Sequence, residues 1–412
     1  MREMKDSGIE WIGQIANTHK LVRLKYIAEI LDEYRKPVTA QYRNQNADIL
    51  YDYYGASGII DKIDGYTIDD HVMLIGEDGA NLKLRNLPLM YEVCGKAWIN
   101  NHAHILKPMK NVDFYYLFYA LESLDINNYI TGSAQPKLNQ ENLKEILIPL
   151  PSYGIQRKVA SYLYTKCSEI DATAEDIQKE ISLLEDYKKS VITEAVTKGL
   201  NPDAEMKDSG IEWVGKVPVT WKIMPNKYIM TKKKVIKEVY DDENIISLSM
   251  NGVIVRDLEA GGKMPKTFDG YQIVYPGNLL MCLFDYDVTP RCIGLIKDYG
   301  VTSPAYSQFV MNNDNYSGYY YYYYLMIDHA KTLLHLAKNL RHSFTEEQLG
   351  AILAPVPTVE EQYQIVNYLD TKCSEIDTLI ADKKRQLDTL ADYKKSLFYE
   401  YVTGKKEVPV NE

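Results

Sequence analysis

With 412 residues, 46% of them hydrophobic and 25% charged, the chain is long enough for two or more cored domains and too apolar for a disordered tail. Its formal net charge of -10 excludes a generally cationic surface, so a nucleic acid would have to be met by local patches and a basic partner. Five cysteines without CxxC spacing and the lack of an 18-residue apolar run exclude a zinc knuckle, a disulfide framework and a spanning helix, and a reducing cytoplasm fits that pattern.

The first distinctive element is the polar stretch MKDSGIEWIG from Met4, whose one large anchor is Trp11. Residues 49–80, ILYDYYGASGIIDKIDGYTIDDHVMLIGEDGA, alternate apolar runs with Gly and Asp turns and predict short strands. A Tyr-rich helix follows in VDFYYLFYALESL, and Pro149 and Pro151 then fix the chain before a long helix. Along that helix Leu163, Ile170, Ile177, Ile181, Leu184, Val191 and Ala195 fall on one stripe, the signature of a coiled coil. Gly199 and Asn201-Pro202 end it.

At Met206 the opening returns as MKDSGIEWVG. Strand-like segments at 245–264 and 271–298 lead into a helix carrying six consecutive tyrosines, 319–324, which suit either packing or stacking on a ligand. Pro355 and Pro357 precede a second striped helix with Leu369, Ile376, Ile380, Leu387, Leu390, Leu397 and Tyr401, interrupted by Lys383. TKCSEID and DYKKS each recur 206 residues on, whereas the opening recurs after 202. The chain is therefore two copies of one unit, each an opening, a variable region and a long helix. The two helices are expected to pair antiparallel; the plainer alternative packs each on its own domain.

No catalytic pattern is present: no GxGxxG after a strand, no GxxxxGK(S/T), no DPPY or NPPY, and no acidic pair followed by ExK. His102 and His104 lack a third residue spaced to complete a metal site. A binder is the expectation, and polar Gly-rich loops are its candidate contacts with DNA. In the first half these are Tyr53, Tyr54 and Ser57 of YYGASG, Asn81 of GEDGAN, Asn101 and His102, and Thr131, Ser133, Gln135 and Lys137 of TGSAQPK. In the second half they are Asn251, Lys263, Arg291, Ser303 and Tyr306 of VTSPAY, and Lys338, Arg341 and His342 of AKNLRHSF, where Arg341 takes the register of Gln135. Singly, each also reads as an ordinary surface loop. In the repeated segments, Trp11, Trp213, Lys188 and Lys394 are candidates for a surface shown twice to an identical partner, with local capping as the simpler role of the openings.

Together these segments resemble the specificity subunits of type I restriction-modification systems. The resemblance is carried by KDSGIEWIG and KDSGIEWVG, YYGASGIID, GKAWINNHAHIL, PGNLLM with VTSPAY, and PLPSYGIQ and PVPTVEEQ leading into YLYTKCSEID and YLDTKCSEID. It implies an α+β protein with a pseudo-two-fold internal repeat: two α/β target recognition domains, 1–148 and 201–353, separated by two long antiparallel coiled-coil helices, 149–200 and 354–412. It also implies a non-catalytic cytoplasmic subunit that reads a bipartite asymmetric site in double-stranded DNA, joined by two methylation subunits and by restriction subunits. No cofactor is expected on this chain; S-adenosylmethionine, ATP and Mg2+ belong to those partners. Two departures stand out. Gly154-Ile155 precede Gln156 where Glu360-Glu361 precede Gln362, and the loop at Arg341 lacks the Gly-Ser-x-Gln pattern of its counterpart. The competing reading is an assembly scaffold that binds proteins, with incidental DNA affinity.

Overall fold

The computed structural model describes residues 3–42, 48–132, 135–259, 265–337 and 342–409. Two compact units emerge, Met1–Ile177 with Arg385–Glu412, and Gln178–Lys384. Each unit thus takes its helical part from both copies of the repeat.

In the first unit a six-stranded sheet runs in the spatial order Ala28–Ile30, Ala103–Pro108, Ile68–Gly76, Met90–Ile99, Tyr51–Gly55, Gly58–Ile63. Side chains alternate along Ile68–Gly76, as the period of two requires. Met73 and Ile75 enter the core beneath helix Phe114–Glu122, while Val72 and Leu74 face a smaller cluster with Ile99 and Ile105. The second unit has a four-stranded sheet in the order Met230–Lys233, Ser307–Met311, Leu279–Met281, Ile293–Leu295, with the hairpin Ile246–Ser249 and Gly252–Val255 beside it. Its helix Ser317–His329 ends earlier than the apolar pattern suggests, because Lys331 turns into the left-handed region at φ 47° and a 3-10 turn, Thr332–Leu336, follows.

The tyrosine run is structural. Five of the six rings are buried. Tyr319 donates to the Val196 carbonyl (2.8 Å), Tyr320 to Asn315 Oδ1 (3.2 Å), Tyr322 to Asp370 Oδ1 (2.7 Å) and Tyr323 to the Leu353 carbonyl (3.2 Å). A helix that touches the core on most of its circumference needs large apolar rings, and four of the hydroxyls find acceptors while the buried Tyr324 hydroxyl has none among the described residues.

The long helices span Tyr153–Lys198 and Val359–Val402 and pack antiparallel within each unit. In the first unit the Tyr162 and Tyr401 rings pack at a tilt with centroids 4.7 Å apart, and Lys394 Nζ bridges both oxygens of Asp171 at 2.7 and 2.8 Å. In the second unit Lys383 pairs with Glu180, and Lys188 Nζ bridges both oxygens of Asp377 at 2.7 and 2.6 Å. The two repeated motifs are therefore each other's partners: the Asp ending TKCSEID on one helix receives the first Lys of DYKKS on the other. Leu163, Ile170, Ile177, Ile181, Val191 and Ala195 are buried as the stripe predicts, and so are Leu369, Ile376, Ile380, Leu397 and Tyr401. Leu184, Leu387 and Leu390 are only half-buried.

The openings fold identically. Met4–Asp6 pairs with Gln14–Ala16, and Met206–Asp208 with Lys216–Pro218. The Asp side chain accepts from the Gly N–H two residues on (3.0 and 2.8 Å), and the Ser hydroxyl accepts from the Ile N–H (3.1 Å in both copies). The polarity of KDSG is thus consumed in building its own turn. Ala16 N–H donates to the Thr403 carbonyl, and Tyr399 Oη to the Ile12 carbonyl, so the first opening lies against the end of the second helix.

Both helix starts are anchored by the repeated glutamine. Gln156 accepts from Asp113 N–H (2.9 Å) and donates to the Pro151 carbonyl (2.9 Å); Gln362 does the same with Tyr316 (2.7 Å) and Pro357 (3.0 Å). The departure beside them has a physical counterpart. Glu361 accepts from the indole N–H of Trp221 (3.2 Å), whereas His19 stands at the register of Trp221 and Ile155 at that of Glu361.

Candidate nucleic-acid interface

Sheet register places the candidate loops. In the first unit Gly76 pairs with Ala103, so the segment after Gly76 and the turn 100–102 emerge at the same end of the sheet. The loop 131–137 is closed by two reciprocal backbone bonds between Thr131 and Lys137, both 2.8 Å, and Gly132 is required there because a Cβ would strike the Gln135 carbonyl. It docks alongside through Leu138 N–H to the Glu77 carbonyl (2.7 Å) and Gly79 N–H to the Pro136 carbonyl (3.1 Å). The hairpin turn Ala56-Ser57 reaches the same place: a Cβ on Gly76 would stand 2.7 Å from the Ala56 carbonyl oxygen. Ser57, Asn101, His102, Thr131, Gln135 and Lys137 are thereby gathered on one exposed face.

Its acids do not confront a duplex unpaired. His102 Nδ1 lies 2.7 Å from Asp78, and Lys137 Nζ lies 3.0 Å from Glu77, which also pairs with Arg35. Burial works to raise the Glu77 carboxyl pKa, but hydrogen bonds from Arg35 and Lys137 and the charge of neighbouring groups hold it below the usual carboxylate range.

The second unit repeats the construction with other side chains. Met281 pairs with both Ile293 and Ser307, so the loop 282–292 and the turn 303–306 leave one end of the sheet. Phe344 N–H donates to the Leu283 carbonyl (2.8 Å), the counterpart of Leu138 on Glu77 at a spacing of 206 residues for both partners. Asn251 is exposed at a hairpin tip, and Ser303 and Tyr306 are held by the Gln272 amide, which donates to both carbonyls at 3.0 and 2.7 Å. His342 Nδ1 lies 2.8 Å from Asp287, and that bond keeps the Asp287 carboxyl below the usual range.

Several predicted contacts serve the fold instead. Tyr53 is 1% exposed and Tyr54 is also buried, because both lie on an inner strand of the sheet rather than on the turn beyond it. The Asn81 amide donates to the Pro88 carbonyl (3.0 Å) and accepts from Leu87 N–H (2.8 Å), closing its own loop. The Arg291 guanidinium donates to the carbonyls of Ile293 and Met250 (both 3.1 Å) and to the Tyr321 hydroxyl. Lys188 and Lys394 are engaged by the helix pairing, and Trp11 and Trp213 are half-buried against their units' cores. Ser133, Lys263, Lys338 and Arg341 lie outside the described residues. Among the described residues no cluster of three or more His, Cys, Asp or Glu could hold a metal, and no helix is long and apolar enough to cross a membrane.

A group absent from the sequence reading lies beneath the first face. His104, Asp32, Arg35, Glu77 and Gln140 form one hydrogen-bonded cluster, and only His104 had drawn attention, as half of a histidine pair. Apart from Asp32 and Arg35, three residues apart on one turn, no local spacing betrays it, since its members come from four separate segments.

Residues 17–183 match the family described as the type I restriction modification DNA specificity domain. A putative type I restriction enzyme specificity subunit of Haemophilus influenzae is 31% identical over 140 residues, covering 34% of this chain and 35% of that protein. A second such putative subunit, from Methanocaldococcus jannaschii, is 25% identical over 405 residues, covering 94% of this chain and 84% of its own length. Among solved structures, a chain from work on assembly and conformational transition of the type I restriction-modification system superposes with a TM-score of 0.67 at 12% identity, over 95% of this chain and 99% of that one; at that identity the likeness concerns the fold. The chain is thus similar in sequence to specificity subunits of type I restriction-modification systems, and in fold to a chain from such a system.

Proposed function

We propose that the protein is the non-catalytic DNA-recognition subunit of a type I restriction-modification complex. Each unit presents one loop face to one half of a bipartite asymmetric site in double-stranded DNA, and the paired helices act as the spacer for the unspecified bases between. Two methylation subunits dock on the repeated segments, where Trp11 and Trp213 are the candidate contacts, and restriction subunits complete the assembly. S-adenosylmethionine, ATP and Mg2+ are used on those partners.

The observation that supports this best is the duplicated loop face: the same backbone bond (Leu138 to Glu77, Phe344 to Leu283) presents unlike side chains in the two units. A common frame with different donors and acceptors is what reading two different base sequences requires. Ser57, Asn101, His102, Thr131, Gln135 and Lys137 form the proposed first face, and Asn251, Ser303, Tyr306 and His342 the described part of the second. The chain co-purified with its methylation subunits should protect one bipartite duplex sequence from nuclease digestion, with adenine methylation confined to that sequence across a genome. Protection independent of sequence would refute the assignment.

A further inference from the structure

We propose that His104 is the positioning residue of the first reading face, a buried crossbar whose two ring nitrogens tie the 131–138 loop to the sheet, and that the second face is held without such a crossbar. The inference rests on the DNA-reading assignment above and concerns how one of the two faces keeps its shape.

His104 is 1% exposed. Its Nδ1 lies 2.7 Å from Asp32 Oδ2 and its Nε2 lies 2.8 Å from the Leu138 carbonyl oxygen, the residue that ends the loop carrying Thr131, Gln135 and Lys137. Both nitrogens face oxygen acceptors, and only a side chain with donors on opposite sides fills both contacts. Asp32 is itself fixed from three further directions: it accepts from Ile105 N–H (3.1 Å) and Gln140 Nε2 (3.2 Å) and pairs with Arg35 (3.1 Å). Arg35 reaches on to Glu77, whose other oxygen holds Lys137, and Glu77 N–H accepts its place in the frame by donating to the His102 carbonyl (2.8 Å). His104 thus holds the 131–138 loop directly through Leu138 and is linked to the 100–102 turn through Asp32, Arg35 and Glu77, whereas the Ser57 turn stands outside this network.

The second unit solves the same problem with apolar groups. At the registers of Glu77 and Leu138 stand Leu283 and Phe344, both packed in the hydrophobic core. Gln308 follows Ser307 as His104 follows Ala103, yet its amide is engaged by Tyr275 N–H (2.9 Å), Asn278 Nδ2 (2.8 Å) and the Ile273 carbonyl (3.1 Å), away from the loop. A buried network of this kind either holds completely or fails as a whole.

The test uses the full chain assembled with its methylation subunits, assaying methylation of the mapped target and of duplexes mismatched in one half-site at a time. His104→Gln should lower discrimination at one half-site about tenfold and leave the other unchanged. Combined with Gln135→Ala, it should cost little beyond the larger single effect, because both act through one loop. Equal loss at both half-sites, or fully multiplicative effects, would overturn the proposal. If His104→Gln lowers the melting temperature too far to assay, the more accessible Glu77→Gln must show the same one-sided, non-additive loss. A wild-type complex that ignores both half-sites would instead overturn the DNA-reading assignment, so the two failures are distinguishable.

Discussion

Replacing Gln362 by Leu should destabilise the second unit by about 4 kcal/mol. The side chain is 0% exposed, and it answers the Tyr316 N–H at 2.7 Å and the Pro357 carbonyl at 3.0 Å. Leucine keeps the volume but leaves both backbone groups buried without a partner, each at about 1–3 kcal/mol, or roughly 2–6 kcal/mol together. Asn315 Oδ1, which Gln362 also contacts at 3.1 Å, still receives the Tyr320 hydroxyl and adds nothing to that figure. For a unit of roughly 200 residues, 1 kcal/mol moves the melting temperature by about 2–4 °C, so calorimetry should record a fall of roughly 8–16 °C. Gln156→Leu, which orphans Asp113 N–H and the Pro151 carbonyl, should behave alike in the first unit. A fall below about 2 °C in both variants would refute the claim that these glutamine bonds anchor the two helix starts.

Gln135→Ala should weaken one half-site by about 1–3 kcal/mol in quantitative footprinting and spare the other; uniform weakening across sequences would mean a phosphate contact. Asp32 and Glu77 are both held below the usual carboxylate range, Asp32 because its bonds with His104, Ile105 and Arg35 outweigh burial. Their stabilisation is therefore complete above about pH 4.5 and is lost as pH falls through the depressed values. Amide protection factors at 131–132 and 135–138 should fall on acidification before that of Phe344, which is packed in an apolar core; equal falls would count against the charged network. Inserting one heptad into each long helix adds roughly 10 Å and should lengthen the preferred spacer by about three base pairs in methylome mapping, whereas an unchanged spacer would defeat the ruler.

The sequence made the repeat and the helices legible because their signals are periodic: a stripe at alternating threes and fours survives without any knowledge of the partner. The loop face was half legible. Gly132 and the polar residues around it declare a turn, and Ser57, Gln135 and Lys137 lie exposed on loops at one end of the sheet. Tyr53 and Tyr54 misled because a Tyr pair before Gly-Ala-Ser-Gly looks like a turn, whereas the strand continues to Gly55 and buries both rings. Arg291 reads as a free cation but is the clamp of a neighbouring hairpin, and no local pattern distinguishes the two. Cross-strand and cross-loop chemistry, such as Asp32 with His104, depends on separations of dozens of residues and has no periodic trace. The pairing of TKCSEID with DYKKS was within reach, since an antiparallel stripe fixes which residues must meet.

That pairing ties the histories of the two halves together. Asp171 answers Lys394 and Asp377 answers Lys188, so a charge lost from one copy can be restored only by a compensating change in the opposite motif of the other copy. Side chains on the loop faces carry no such debt to the other half. Drift is therefore braked along the helices and released at the loops, and new sequence preferences can arise in one half while the frame that carries it stands still.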